Sequence, residues 1–232
     1  MGAARAVRTA MLLVLLVLLV LLGAVAVPGV ARAADTAAGA VRGGDALFSD
    51  SGTRCTVGFN ATDGTDFFGL VPGYCGDTGT RWYADPGRTV PVGETVSSHF
   101  PGGNYAAIRY TNPDLTYPSE VNSYGGGGAV RIERAVEPQV GMAVCRSGPT
   151  TGWHCGTIRQ INVSVNYPEG TVDGLFSADI CAEPGDNGGP AVSGNAAVGM
   201  LVGGTGDCAS GGLTYYQPVV EPLGALGLTI GY

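Results

Sequence analysis

Lysine occurs nowhere in this 232-residue chain; all 12 cationic residues are arginine. That absence removes Ser–Lys dyads and Schiff-base chemistry from consideration. Histidine occurs only twice, at His99 and His154, and the two do not sit at metal-ligand spacing. No Cys-x-x-Cys is present, and the glycine-rich stretches lack the lysine of a phosphate loop. No metal and no cofactor is therefore expected. Charged residues make up only 13% of the chain, about half the share usual in soluble domains. Beyond residue 33, nine arginines face 19 acids, a net charge of −10. Such an acidic chain without a basic cluster argues against nucleic acid and anionic membrane surfaces as partners.

What is present begins with an export signal over residues 1–33. Arg5 and Arg8 precede an unbroken apolar run from Met11 to Leu22, and Ala31-Arg32-Ala33 supplies a small-residue cleavage motif. The apolar stretch out to Val27 is long enough for an uncleaved anchor, but Pro28 and the cleavage motif favour removal. The expectation is a secreted chain with no membrane contact after cleavage. Residues 34–40 read as a short spacer, and about 199 residues follow the cleavage site, a size for one domain or one two-lobed unit.

From Val41 onward, short β-branched and aromatic runs alternate with Gly, Pro, Asn and Asp. No window from 41 to 217 holds a helical apolar period beyond two turns; only Pro218 to Leu226 suits a short helix. The pattern predicts an all-β chain of antiparallel barrels or a sandwich. Gly125 to Gly128 is the clearest connector, dividing lobes over about 41–125 and 129–232. Trp82, Tyr83, Tyr215 and Tyr216 read as core packing rather than a sugar platform. Six cysteines in an exported chain read as three disulfides, for which 15 connectivities exist. The set that closes local loops is Cys55–Cys75, Cys145–Cys155 and Cys181–Cys208.

One stretch organises the rest: Cys181-Ala-Glu-Pro-Gly-Asp-Asn-Gly-Gly-Pro190. Glycines on both sides of Asp186-Asn187 make a tight turn that exposes backbone N–H groups, a shape suited to a carbonyl oxygen or an oxyanion. A catalytic turn of this kind needs a nucleophile at its apex. Here the apex is Asn187, whose amide cannot attack a carbonyl.

These pieces occur together in one family. Arg54-Cys-Thr-Val-Gly-Phe-Asn60, Pro72-Gly-Tyr-Cys75, Phe100-Pro-Gly-Gly-Asn-Tyr-Ala106, Arg146-Ser-Gly-Pro-Thr-Thr-Gly152, Cys181 to Asp186 and Gly211-Gly-Leu-Thr-Tyr-Tyr-Gln-Pro218 follow in order. Over residues 41–232 the chain resembles the secreted streptogrisin-like serine peptidases, a bacterial branch of the chymotrypsin fold. The resemblance implies two perpendicular, antiparallel six-stranded β-barrels, a short C-terminal helix and a cleft between the barrels. It also supports the three local disulfides.

The family's chemistry uses a Ser whose proton is taken by a His that an Asp orients. The positions that match those motifs hold Tyr74 for His, Asn104 for Asp and Asn187 for Ser, and the Ser expected to support the Asp is Val202. Loss of the nucleophile or the base alone costs a factor of about 10⁶ in a comparable triad. The resemblance therefore implies a monomeric pseudopeptidase with no working catalytic residue. Gly185 and Asn187 would present the oxyanion-hole N–H pair. Val202, Gly203 and Gly204 would pair with an extended peptide or a protease-inhibitor loop as an added strand. An unconventional hydrolase and a vestigial structural protein are the competing readings.

Overall fold

The computed structural model describes residues 39–125 and 128–232, so the expected signal segment 1–33, most of the expected spacer and part of the Gly125–Gly128 connector lie outside the described residues. Turn residues break the chain into short strands. Gly44, Gly52, Gly64 and Gly79 all take positive φ at the ends of runs in the N-terminal half. Two sheets of seven strands result.

The first sheet runs in the order Arg54–Thr56, Ala46–Ser49, Arg81–Tyr83, Pro91–His99, Tyr105–Tyr110, Phe67–Val71, Phe59–Thr62. Its first and last members are one stretch of chain interrupted at Val57-Gly58. There Val57 N–H donates to Asp45 O at 2.9 Å and Gly58 N–H to Leu70 O at 2.8 Å. A Cβ at Gly58 would come within 2.5 Å of the Met200 side chain, so this bend needs glycine. The bend lets 54–62 pair with Ala46–Ser49 at one end and Phe67–Val71 at the other. The expected six strands become seven because this one is divided.

The second sheet closes on itself. Ala143–Gly148, Gly152–Tyr167, Gly170–Ala178, Gly211–Pro218, Ala196–Asp207 and Pro190–Ser193 form a ring of six. The seventh strand, Arg134–Ala135, adds in parallel to Ala196 and Ala197. Each sheet wraps its own core. Val57, Trp82, Val92 and Ile108 fill the first; Ile158, Phe176, Val198 and Tyr216 fill the second. Burying one such large apolar side chain contributes roughly 1.5–3 kcal/mol. Trp82 is fully buried with its indole N–H on Thr95 Oγ1 at 2.9 Å, and Tyr216 stacks on Phe176, the packing role read from the sequence.

A third cluster joins the lobes, with Phe59, Leu70 and Tyr105 from one sheet meeting Val192, Met200 and helix residue Leu223. The helix, Val220–Leu226, ends on Gly227 at φ 65°, whose N–H returns to Leu223 O. The three disulfides join the locally expected pairs, and the Cys145–Cys155 bridge links directly opposed residues of adjacent strands.

Candidate functional site

The 181–190 turn is anchored from beneath. Asp186 is fully buried. Its carboxylate accepts the Thr150 N–H at 2.9 Å, the Thr151 hydroxyl at 2.7 Å and the Glu183 N–H at 3.0 Å. Arg146, equally buried, brings Nη1 to 3.5 Å. Burial would raise the Asp186 pKa, but these donors outweigh it and hold the carboxyl below its usual range. The turn docks on Thr56, which donates its N–H to Asn187 O at 2.8 Å and its hydroxyl to Gly185 O at 3.0 Å. At Gly188, φ is 97° and a Cβ would lie 1.9 Å from Thr56 O, so only glycine fits.

The turn's N–H groups divide into two sets. Those of Asp186, Gly188 and Gly189 donate to Glu183 O, Leu201 O and Asp186 O. Those of Gly185 and Asn187 have no acceptor among the described residues. This is the pair expected to form the oxyanion-type cradle. The Asn187 side chain likewise has no partner among the described residues.

Asn104 is also fully buried, just before the strand Tyr105–Tyr110. Its Oδ1 accepts the Gly73 N–H at 2.8 Å, and its own N–H donates to Gln217 Oε1 at 2.9 Å. Those contacts hold the loop in place without needing a charge. Its Nδ2 has no well-formed hydrogen bond. The side chain that should support it, Val202, brings methyl groups instead of a hydroxyl and packs with Val172 and Leu175.

Tyr74 sits in the 3₁₀ turn Gly73–Cys75, half-buried between the cores of the two lobes. Its ring meets Phe100 edge-on, with centroids 5.8 Å apart, and lies 6.3 Å from the Tyr167 ring. Its hydroxyl donates to Val202 O at 3.3 Å, and the Tyr167 hydroxyl donates to the same oxygen at 3.1 Å. Burial, reinforced by the Tyr167 phenol beside it, pushes the Tyr74 pKa far above the ordinary phenol value. Sequence reading identified Tyr74 and Val202 separately but missed Tyr167 and Phe100. Tyr167 lies outside the motifs, and Phe100 opens the Phe100–Ala106 motif without any local pattern that marks it as a cleft residue.

Two open cavities flank Asn187. One, about 410 Å³, is walled by Ala182, Glu183, Pro184, Gly203, Gly204 and Gly206. The other, about 370 Å³, is lined by Tyr74, Phe100, Tyr167, Pro168, Glu169 and Val202. Tyr74 therefore forms part of the floor on one side and leaves the other side open. The two histidines lie elsewhere. His99 is exposed at a strand end beside Tyr105, and His154 hydrogen-bonds Thr151 O at 3.0 Å. His154 also approaches Cys181 and Cys208, but those sulfurs are joined in a disulfide and offer no thiolate ligand.

Residues 98–222 match the model of the family described as Trypsin. Streptogrisin-C of Streptomyces griseus is 46% identical over 190 residues, covering 82% of this chain and 41% of that protein. The chain thus spans about two fifths of that relative's length. Serine protease 2 of Streptomyces fradiae is 37% identical over 177 residues, covering 75% of this chain and all of that protein. Among solved structures, alpha-lytic protease homolog N4 superimposes with a TM-score of 0.75 at 54% identity, covering 82% of this chain and 98% of that one. With the motif order, the paired β sheets and these likenesses together, the chain belongs to the trypsin family of serine peptidases, with the streptogrisins among its relatives.

Proposed function

We propose that this chain is an exported member of its family that does not hydrolyse peptide bonds, and that its cleft holds a peptide segment or the loop of a protease inhibitor intact. The observation that carries this reading is the state of Tyr74. The residue at the general-base position has its hydroxyl on Val202 O, inside an aromatic cluster that raises its pKa. An ordinary phenol is ionised to only about one part in a thousand at pH 7, a penalty of roughly 4 kcal/mol for use as a base. Burial enlarges that penalty. A base at this point would in any case have no hydroxyl to activate, because Asn187 stands at the turn apex.

Some of the groups suited to binding rather than reaction remain free, although Val202 O is taken by two phenols. The Gly185 and Asn187 N–H groups are unpaired among the described residues, and cavities open on both sides of them. The three disulfides suit an oxidising compartment. The test is treatment with a broad serine-directed fluorophosphonate, followed by intact-mass measurement and assay on chromogenic peptides. No adduct and no turnover above buffer are expected. A stoichiometric adduct would establish the unconventional hydrolase instead. Calorimetry against a protease-inhibitor loop peptide and a short peptide panel tests the binding half, and absence of any heat would leave a vestigial fold.

A further inference from the structure

Resting on that binding reading, we infer that the cleft recognises the free C-terminal carboxylate of a peptide, with the last side chain in the cavity walled by Ala182, Pro184 and Gly203–Gly204. Two opposite features of the cleft lead there. The strand-pairing edge is already occupied at its first acceptor. Val202 O receives hydroxyl donors from both Tyr74 and Tyr167, which uses the two lone pairs of that carbonyl. A peptide laid along 202–204 therefore cannot donate an N–H there without displacing a phenol. Any peptide laid there, internal or terminal, loses that strand contact, so more of its affinity has to come from the turn.

The turn offers the reverse situation: donors without acceptors. Gly185 N–H and Asn187 N–H are unpaired among the described residues, and the Asn187 amide beside them has no partner. An internal peptide carbonyl has a single oxygen for these groups. A terminal carboxylate has two oxygens and a full charge, and charge-assisted hydrogen bonds are about twice as strong as neutral ones. The nearby charges are mixed, with Arg54 beside the turn and Glu183 and Glu169 on the walls of the two cavities. Arg54 is exposed, and its guanidinium lies alongside Gly185, where a Cβ would be 2.7 Å from Nη1. Asp186 is sequestered by its donors and by Arg146. Glu183, on the cavity wall, directs Oε1 to the Cys208 N–H at 3.0 Å. The adjoining cavity of about 410 Å³ has walls of small residues, which leave width for a large side chain.

Three probes share one sequence: acetyl-Ala-Ala-Pro-Phe as the free acid, the same peptide as its C-terminal amide, and the same peptide extended by Ala-Ala-amide. Titration calorimetry at physiological salt should give an affinity at least tenfold higher for the free acid than for the other two, about 1.4 kcal/mol. Asn187→Asp sets a like charge at the cradle and should erase that preference while leaving the thermal melt unchanged. Arg54→Gln, on the surface and without risk to folding, should reduce the preference about threefold. Equal affinity for all three peptides, or preference for the extended one, overturns carboxylate recognition but leaves a peptide-binding cleft. Binding of none overturns both.

Discussion

The hydroxyl of Tyr74 and the carbonyl oxygen of Val202 meet across 3.3 Å, although the residues are 128 positions apart. On the proposed reading, Tyr74 takes the place of the base and Val202 that of the support for the acid. The phenol satisfies a carbonyl that faces the cleft, and the valine methyls pack against the aromatic cluster instead of contacting Asn104 through a hydroxyl. The two contacts thus complement one another and make a packed joint between the two lobes.

Removing only the hydroxyl separates these contributions. Tyr74→Phe should keep the contacts with Phe100 and Tyr167 and lose about 1 kcal/mol of stability. Tyr74→Ala should lose about 3 kcal/mol, because the ring leaves a cavity between the lobes. Urea titration of both variants checks this, and equal losses would mean that ring packing contributes little. The double variant Tyr74→Phe, Tyr167→Phe frees Val202 O, and the internally extended peptide should then bind more tightly than to the parent.

The buried pair Arg146–Asp186 sets the acid limit of the turn. The Asp186 pKa is lowered in the folded protein, so its contribution is present above about pH 4, the ordinary carboxyl value, and is lost as pH falls through the folded value. Asp186→Asn leaves Arg146 buried without a counter-charge and should cost roughly 3–5 kcal/mol at pH 7. Thermal melts from pH 7 down to about pH 2 should show parent and variant converging at the acid end. A gap that stays constant would show that the ion pair is not the origin.

Rebuilding the relay tests how far the cleft has been altered. The triple variant Tyr74→His, Asn104→Asp, Asn187→Ser should gain measurable cleavage of chromogenic peptides, at least about a hundredfold over the parent yet far below the ~10⁶ factor of a complete triad. Adding Val202→Ser should raise it further, since a serine hydroxyl can donate to the new carboxylate. Asn104→Asp alone should destabilise the fold, because it buries a charge with no histidine beside it. Steady-state kinetics with melting temperatures for each variant checks the series.

Much of this architecture could be read from residue order because its signals are local. Glycine and proline punctuation bounded the strands, and the cysteines closed nearby loops. The expected triad positions were assigned from short motifs, such as Gly73-Tyr74-Cys75. The bend at Gly58 was not legible, since it depends on Met200 lying against it from the other lobe. Nor was the shared acceptor at Val202, which needs Tyr74 from a turn of one lobe and Tyr167 from a strand of the other. The same holds for the unpaired Asn104 Nδ2, a property of what surrounds the residue rather than of its neighbours in sequence.

The central claim, a cleft that holds peptide without cutting it, is most directly tested under single-turnover conditions. The purified protein, in excess over acetyl-Ala-Ala-Pro-Phe-Ala-Ala-amide and a set of longer peptides, is incubated for several days and the peptides are weighed by mass spectrometry. Every peptide should remain intact, with any bound fraction released unchanged on denaturation. A cleavage product that accumulates with the parent protein, and is absent when Asn187→Ala is used in its place, would contradict it.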